Sequence, residues 1–178
     1  MLGVWMDIFD AIKGRRSVRE FKPDPVDDKD LEKILEAGRS SPSAGNCQPW
    51  EFVVVRDGAI KQKLARAALG QSFLAEAPVV VVVCANIPRT SSRYGRRGAE
   101  LYCIQDTAAA AQNILLAAYG LGYGTCWVGA FDEDAAARAI NAPPDVRPLA
   151  IIPIGRPAEK PAPTPRLPLK KIVHENTF

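Results

Sequence analysis

The sequence predicts an α+β fold in which helices pack around a sheet, and three observations carry that reading. Residues 79–83 are five consecutive valines, a β-branched run that marks a strand covered on both faces. Between Ala108 and Ala118 a helical stretch is apolar on nearly every side except at Gln112 and Asn113, so it belongs in an interior. Helices and strands are interspersed, but they are too few and too irregular for a regular doubly wound sheet.

The chain has 178 residues, 47% of them hydrophobic and 24% charged, which suits one globular domain with an extended arm. A core at this size buries roughly 70% of the unfolded chain's surface. The 23 basic residues are nearly balanced by 20 acidic ones, so no general affinity for nucleic acid is expected. Four cysteines at 47, 84, 103 and 126 form no C-x-x-C pair, and His174 is the single histidine. A metal cage is therefore not expected, and free thiols in a reducing cytoplasm are. Asp7 and Asp10 interrupt the apolar N-terminal stretch, and no apolar run reaches about 20 residues, so neither a signal peptide nor a membrane partner is expected.

Taken in order, Trp5, Ile8, Phe9 and Ile12 follow helical spacing and predict an amphipathic helix over 5–13, ending near Gly14. A basic turn, "RRSVR", follows. Asp27 or Asp28 caps a second helix with Leu31, Ile34, Leu35 and Gly38 on one face. "WEFVVV" is a strand, and 58–69 is a helix through Ile60, Leu64 and Ala68. Gly70 and Pro78 bracket a short turn before the valine strand. "NIPRTSSRYGRRG", residues 86–98, reads as a basic, mobile loop, and the helical pattern resumes from Ala99 to Tyr119. "GLGYGTCWVGAF" is a glycine-rich turn into a short strand, with Gly120 or Gly122 left-handed at the helix end. "DEDAAARAI" is a helix with an acidic first turn, and "RPLAIIPIG" is the last strand. Pro157, Pro161, Pro163, Pro165 and Pro168 then force an extended arm, which needs another surface to lie on.

Several segments are candidate sites. Arg15, Arg16, Ser17 and Arg19 place three guanidiniums and a hydroxyl within five residues, a donor set suited to a phosphate monoester; a solvated turn closing the helix is the alternative. "GLGYGT" is not a dinucleotide fingerprint, because a helix precedes it and a strand follows. "WVGAF" can present backbone N–H groups, since Gly129 and Ala130 have no bulk. Cys47 and Cys126 lack a histidine base and read as inert thiols. The carboxylates of "DDKDLEKILE" and "DED" sit in first helical turns, where capping explains them. The segment "RSSPSAGNCQPW" is longer than a connector needs to be. Its Ser41, Ser43 and Asn46 offer hydrogen bonds, and Pro42, Ala44 and Gly45 offer a flat uncharged surface, a combination suited to an aromatic ring system.

Together these segments resemble the nitroreductase family of FMN-dependent oxidoreductases. The resemblance runs through "RRSVREF", "SSPSAGNCQPWEFVVV", "APVVVVVCA", "LYCIQDTAAAAQNILLAAYGLGYGTCWVGAF", "IIPIG" and "PRLPLKKIVHEN", six motifs in order. It implies a central mixed β-sheet flanked by helices, with residues 1–155 as the FMN-binding domain and 156–178 as an arm exchanged in a homodimer. It implies that Arg15, Arg16, Ser17 and Arg166 surround the phosphate and ribityl end, and that Arg19 lies by the N1 and O2 edge. Pro42, Ser43, Ala44 and Asn46 would meet the flavin from the loop, partly across the subunit boundary. Gly129 and Ala130 would bring a backbone N–H towards N5, and Gln71 would face the pyrimidine edge. This chain has Leu167 where family members often have a basic residue, and Gly129 where some have an acidic one.

The activity implied is a ping-pong transfer of hydride from NADH or NADPH through bound FMN to a nitroaromatic, quinone or similar small acceptor. No general acid or base is needed if water protonates the product, which agrees with the absence of a candidate pair. Specialised flavin chemistry on the same fold, such as dehalogenation or flavin consumption, is one alternative; a flavin-binding or redox-sensing module with little turnover is another.

Overall fold

The computed structural model of the chain describes residues 6–178. Its elements run α1 Ile8–Gly14, α2 Asp28–Arg39, β1 Trp50–Val55, α3 Gly58–Ala67, α4 Phe73–Glu76, β2 Val79–Asn86, α5 Ile87–Arg97, α6 Cys103–Gly120, β3 Gly124–Thr125, α7 Glu133–Ala139 and β4 Val146–Gly155. The strands form one sheet in the order β1-β2-β4-β3. All three ladders are antiparallel, and among the described residues the parallel contribution is a single bridge from Ser17 to Thr125.

The valine run is explained by what covers it. β2 is central in the sheet, and its residues alternate between two separate clusters. Val80, Val82 and Cys84 pack with Ile151 against Leu64 of α3, Leu74 of α4 and Ala136 of α7. Val79, Val81 and Val83 pack with Ile152 and Ile154 against Ile34 of α2 and Ile114 and Leu115 of α6. Side chains leave a strand on alternate faces, so a strand buried on both faces has no polar position. α6 bears out the interior helix: Ala110, Ala111, Ile114, Leu115 and Ala118 are all buried.

The helix ends follow local chemistry. Asp27 Oδ1 accepts from the N–H groups of Lys29 at 2.9 Å and Asp30 at 3.2 Å, and Asp132 Oδ1 accepts from Ala135 at 2.9 Å. These carboxylates are caps. At the end of α6, the N–H of Tyr123 bonds to Ala118 O and that of Gly122 to Tyr119 O, both at 2.9 Å, with Gly122 at φ 79°. That is a Schellman ending, with glycine at the left-handed position.

Three expectations need correction. The first helix begins at Ile8 with Asp7 as its cap rather than at residue 5, and Trp5 lies outside the described residues. The turn between Gly70 and Pro78 contains the short helix α4. Residues 86–98 are not a loop: Ile87–Arg97 is helical, with proline in its first turn, where the missing N–H has no cost. Thr90 is its single buried residue, so no apolar stripe announces the helix. A break at Gly95 (φ 54°, ψ −139°) leads into a π turn, Gly98–Tyr102.

Two apolar features face outwards. Ile8, Phe9 and Ile12 of α1 are more than half exposed, at 54%, 67% and 53%. Beside them, Met6, Ile8, Ala11, Ala37, Leu116 and Leu121 line a groove of about 420 Å³ along α6. The arm is tied down at its root, where Phe21 bridges Pro157 and the Ala158 N–H bonds to Glu20 O at 2.8 Å. From 162 to 178 it is exposed throughout. Among the described residues, no helix is long and apolar enough to cross a membrane.

Candidate functional site

The basic turn runs alongside β3. Arg15 closes α1 through its N–H to Ala11 O at 3.0 Å, and Val18 N donates to Thr125 O at 2.9 Å. This approach requires Gly124, because a Cβ there would lie 2.8 Å from Val18 Cγ1. Val18 is buried, so the alternation of an extended chain puts Ser17 and Arg19 on the other face. Arg16 Nη1 donates to Lys13 O and Arg15 O, the latter at 2.8 Å. Among the described residues, no carboxylate forms an ion pair with Arg15, Arg16 or Arg19.

A second segment joins this edge from β4. Val128 exchanges both backbone hydrogen bonds with Ile151 at 3.0 Å, after which Gly129 and Ala130 leave the sheet and are exposed. No protein acceptor among the described residues takes either of their N–H groups. Gln71 Nε2 donates to Ala68 O at 2.9 Å and to Ala130 O at 3.3 Å, so it braces the turn from the end of α3. The Arg19 guanidinium lies 6.0 Å from the centre of the Phe73 ring, two residues beyond Gln71. Burial pushes the Cys126 thiol up, against the opposing pull of Arg19, a hydrogen bond from Ser17, and Arg15. The thiol is thus an inert neighbour of the cationic group. Arg15, Ser17, Arg19, Gln71 and Ala130 form one cluster.

The loop forms a second cluster, against the first turn of α6. Ala44–Asn46 is a single 3-10 turn, and Gly45, Asn46 and Gln48 all have left-handed backbone, with φ of 53°, 56° and 48°. Ser43 Oγ accepts from Gln48 N at 3.0 Å, and Asp106 Oδ1 accepts from Ala44 N at 3.0 Å. Arg93 of α5 donates to Gly45 O at 2.8 Å, and Arg89 donates to Gln48 O at 3.1 Å. Ser41 Oγ accepts from Asn113 of α6 at 2.8 Å. Cys47 is half-buried and unbonded to another cysteine.

The structure brings neither Arg166 nor the loop to the Arg15–Arg19 edge. Among the described residues, Arg166 bonds only within its own segment, to Thr164 Oγ1 at 2.7 Å and to the carbonyls of Thr164 and Pro165. Among the described residues, no hydrogen bond, ion pair or aromatic contact joins residues 42–46 to residues 15–19. Two neighbours of the clusters escaped the sequence reading, Asp106 and Glu159, whose Oε1 accepts from the N–H groups of Arg19 and Glu20; Arg93, legible only as part of a basic segment that could meet a phosphate or solvent, bonds to the loop instead. Asp106 alone left a signal, as a lone acid at the start of an otherwise apolar helix.

The chain is similar to known proteins in sequence and in fold. The model of the nitroreductase family matches residues 12–73 and 66–156. A putative NADH dehydrogenase/NAD(P)H nitroreductase of Methanothermobacter thermautotrophicus is 38% identical over 160 residues, covering 88% of this chain and 80% of that protein. A crystal structure of a protein of the same description from Bacteroides thetaiotaomicron has a TM-score of 0.85 at 34% identity, covering 96% of this chain and 98% of the other. The NADPH:FMN oxidoreductase of Vibrio harveyi, complexed with NAD+, has a TM-score of 0.88 at 27% identity, covering 96% and 77%. A match over most of the chain, in sequence and in fold, establishes that this protein belongs to the nitroreductase family.

Proposed function

We propose that the protein is an FMN-dependent oxidoreductase that uses NADH or NADPH to reduce nitroaromatics, quinones or related small acceptors. The observation that carries this is the cationic edge. The Arg15 and Arg19 guanidiniums, with no carboxylate ion-paired to them among the described residues, gather with the Ser17 hydroxyl around Cys126, with Arg16 beside them in the chain; a few residues beyond Cys126, the N–H groups of Gly129 and Ala130 have no protein acceptor among the described residues. That donor set fits FMN, whose phosphate calls for charge-assisted bonds and whose ring calls for close backbone approach. The names of the relatives support the same reading, with an NADPH:FMN oxidoreductase among them.

In this reading Arg15, Arg16 and Ser17 hold the phosphate, with Arg166 added from the arm. Gly129 and Ala130 bring a donor to the ring, and Gln71 fixes their turn. Pro42, Ser43, Ala44 and Asn46 present the flat face of the loop. When bound, FMN would supply the two-electron carrier between nicotinamide and acceptor. Arg19 supplies a fixed positive charge that stabilises the negative charge arriving in the site, and no side-chain acid is required of the protein.

The separation of the two clusters supports a homodimer, in which the loop of one copy completes the site of the other. The exposed stripe of Ile8, Phe9 and Ile12 and the groove beside it supply the apolar surface that such an assembly covers. Residues 1–155 then form the domain, and 156–178 form an arm that lies across the partner.

Purified protein is expected to bind FMN and, in stopped-flow mixing with NADH and NADPH, to bleach rapidly with one or both. Protein that stays colourless and does not bind added FMN overturns the reading, and slow bleaching assigns a binding module instead. Arg19→Ala is expected to lower the potential of bound FMN by about 30 mV, the equivalent of ~1.4 kcal/mol for two electrons, with a smaller loss of FMN affinity. Potentiometric titration checks it, and the reverse pattern contradicts the role given to Arg19.

A further inference from the structure

Two neighbouring backbone groups of the loop are held by side chains of opposite charge from different elements. Asp106 Oδ1, at the start of α6, accepts from the Ala44 N–H at 3.0 Å, and Arg93 Nη1, from α5, donates to the Gly45 carbonyl at 2.8 Å. We propose that Asp106 and Arg93 are positioning residues that clamp the Ala44–Gly45 segment in the shape in which the loop meets FMN. The proposal rests on the FMN reading above and assigns both residues a role that requires no contact with the cofactor.

The loop needs holding. Left-handed backbone is unfavourable for residues with a Cβ, yet Asn46 and Gln48 both adopt it, beside Gly45. An unheld segment would relax towards ordinary backbone angles and turn its face away. Asp106 is poorly suited to a purely packing role. It is 7% exposed, its Oδ2 is buried with no hydrogen-bond partner among the described residues, and burial pushes its carboxyl above the usual range. A half-satisfied carboxylate at a helix–loop junction lowers stability; an alanine, like those at 108–111, would serve the packing of α6 better. What the carboxylate does provide is a charged acceptor for the Ala44 N–H.

Arg93 holds the next residue, from α5. Its guanidinium lies 5.4 Å over the Tyr94 ring, which limits the orientations it can take. The Tyr94 hydroxyl and the Arg93 guanidinium both occupy the space that a Cβ on Gly45 would need. α5 therefore sits directly on the loop, and the loop's shape depends on this helix as well as on α6. Changes in α5 would alter the cofactor site without touching the cofactor.

The test uses full-length Asp106→Ala, Asp106→Asn and Arg93→Ala proteins. FMN dissociation constants come from quenching of flavin fluorescence, and amide exchange of residues 41–50 is followed in FMN-free protein by mass spectrometry. Each alanine variant is expected to weaken FMN binding about tenfold, the loss of one charge-assisted hydrogen bond. Exchange should accelerate in 41–50 and not in β2. Asp106→Asn should recover most of the affinity, because its amide oxygen still accepts from Ala44. Arg93 is exposed, so Arg93→Ala keeps the test open if Asp106→Ala fails to fold. Unchanged affinity and exchange overturn the clamp, as does a loss that merely follows faster exchange throughout β2. If wild-type protein binds no FMN, the functional reading fails, while the exchange measurement still decides whether the loop is clamped.

Discussion

Replacing Arg15 and Arg16 together with alanine is expected to lower FMN affinity roughly 100-fold or more. Each guanidinium removed costs a charge-assisted contact worth about 1.5–3 kcal/mol, and about 1.4 kcal/mol is a factor of ten. The effect is large because no carboxylate among the described residues competes for these cations, so their charge is available to an anion. Arg16 also donates to the carbonyls of Lys13 and Arg15 at the end of α1. Thermal unfolding of the FMN-free variant therefore belongs beside the fluorescence titration. An affinity loss at nearly unchanged midpoint is the expected result, and unchanged affinity removes the phosphate role from this turn.

The second large effect lies in the core. Ile114 is fully buried at the centre of α6, against Gly38 of α2 and close to Phe52 of β1. Ile114→Ala is expected to destabilise the fold by about 2–5 kcal/mol, through lost burial and a cavity the neighbours cannot close. Gly38→Ala alone overpacks the same contact, because its Cβ would lie 2.8 Å from Ile114 Cγ1 and 3.1 Å from Phe52 Cζ, and costs about 1–3 kcal/mol. Combined, the added methyl fills part of the space the isoleucine leaves, so the double variant should be less destabilised than the sum. Denaturant unfolding of the three variants at one protein concentration checks this, and simple additivity contradicts it.

Much of the fold was legible because it rests on local or strictly periodic signals. The valine run announced a strand buried on both faces, and the two clusters around β2 are what bury it. Asp27, Asp132 and Gly122 were readable because caps and helix endings are chemistry of a few neighbouring residues. Residues 86–98 were misread for the complementary reason. α5 is held by contacts its own sequence does not display: Arg89 to the carbonyls of Gln48 and Trp50, Arg93 to Gly45. Such tertiary anchoring leaves no apolar period behind. Asp106 was hidden similarly, since its partner Ala44 lies 62 positions away.

The candidate site was legible as segments but not as a place. The structure ties "RRSVR" to β3 through the bridge of Ser17 to Thr125, ties Gln71 to Ala130, and sets the Arg19 guanidinium 6.0 Å from the ring of Phe73, two residues beyond Gln71. The loop and Arg166 remain apart from them. Composition can say that a loop suits a flat ring, but not which copy of the chain provides the ring's other contacts.

Subunit complementation tests whether one copy's loop completes the other copy's site. One variant carries Arg15→Ala and Arg16→Ala; the other carries an intact cationic edge and a loop disabled by Ser43→Arg and Asn46→Arg. Each alone should bind almost no FMN. After partial unfolding and refolding of an equal mixture, random pairing makes half the dimers hybrids, each with one site built from two undamaged halves. The account predicts recovery of about a quarter of the wild-type FMN sites, as the symmetry of a shared two-fold site requires. No recovery, with hybrid dimers demonstrated by differential tagging, would show that each site is built within a single chain.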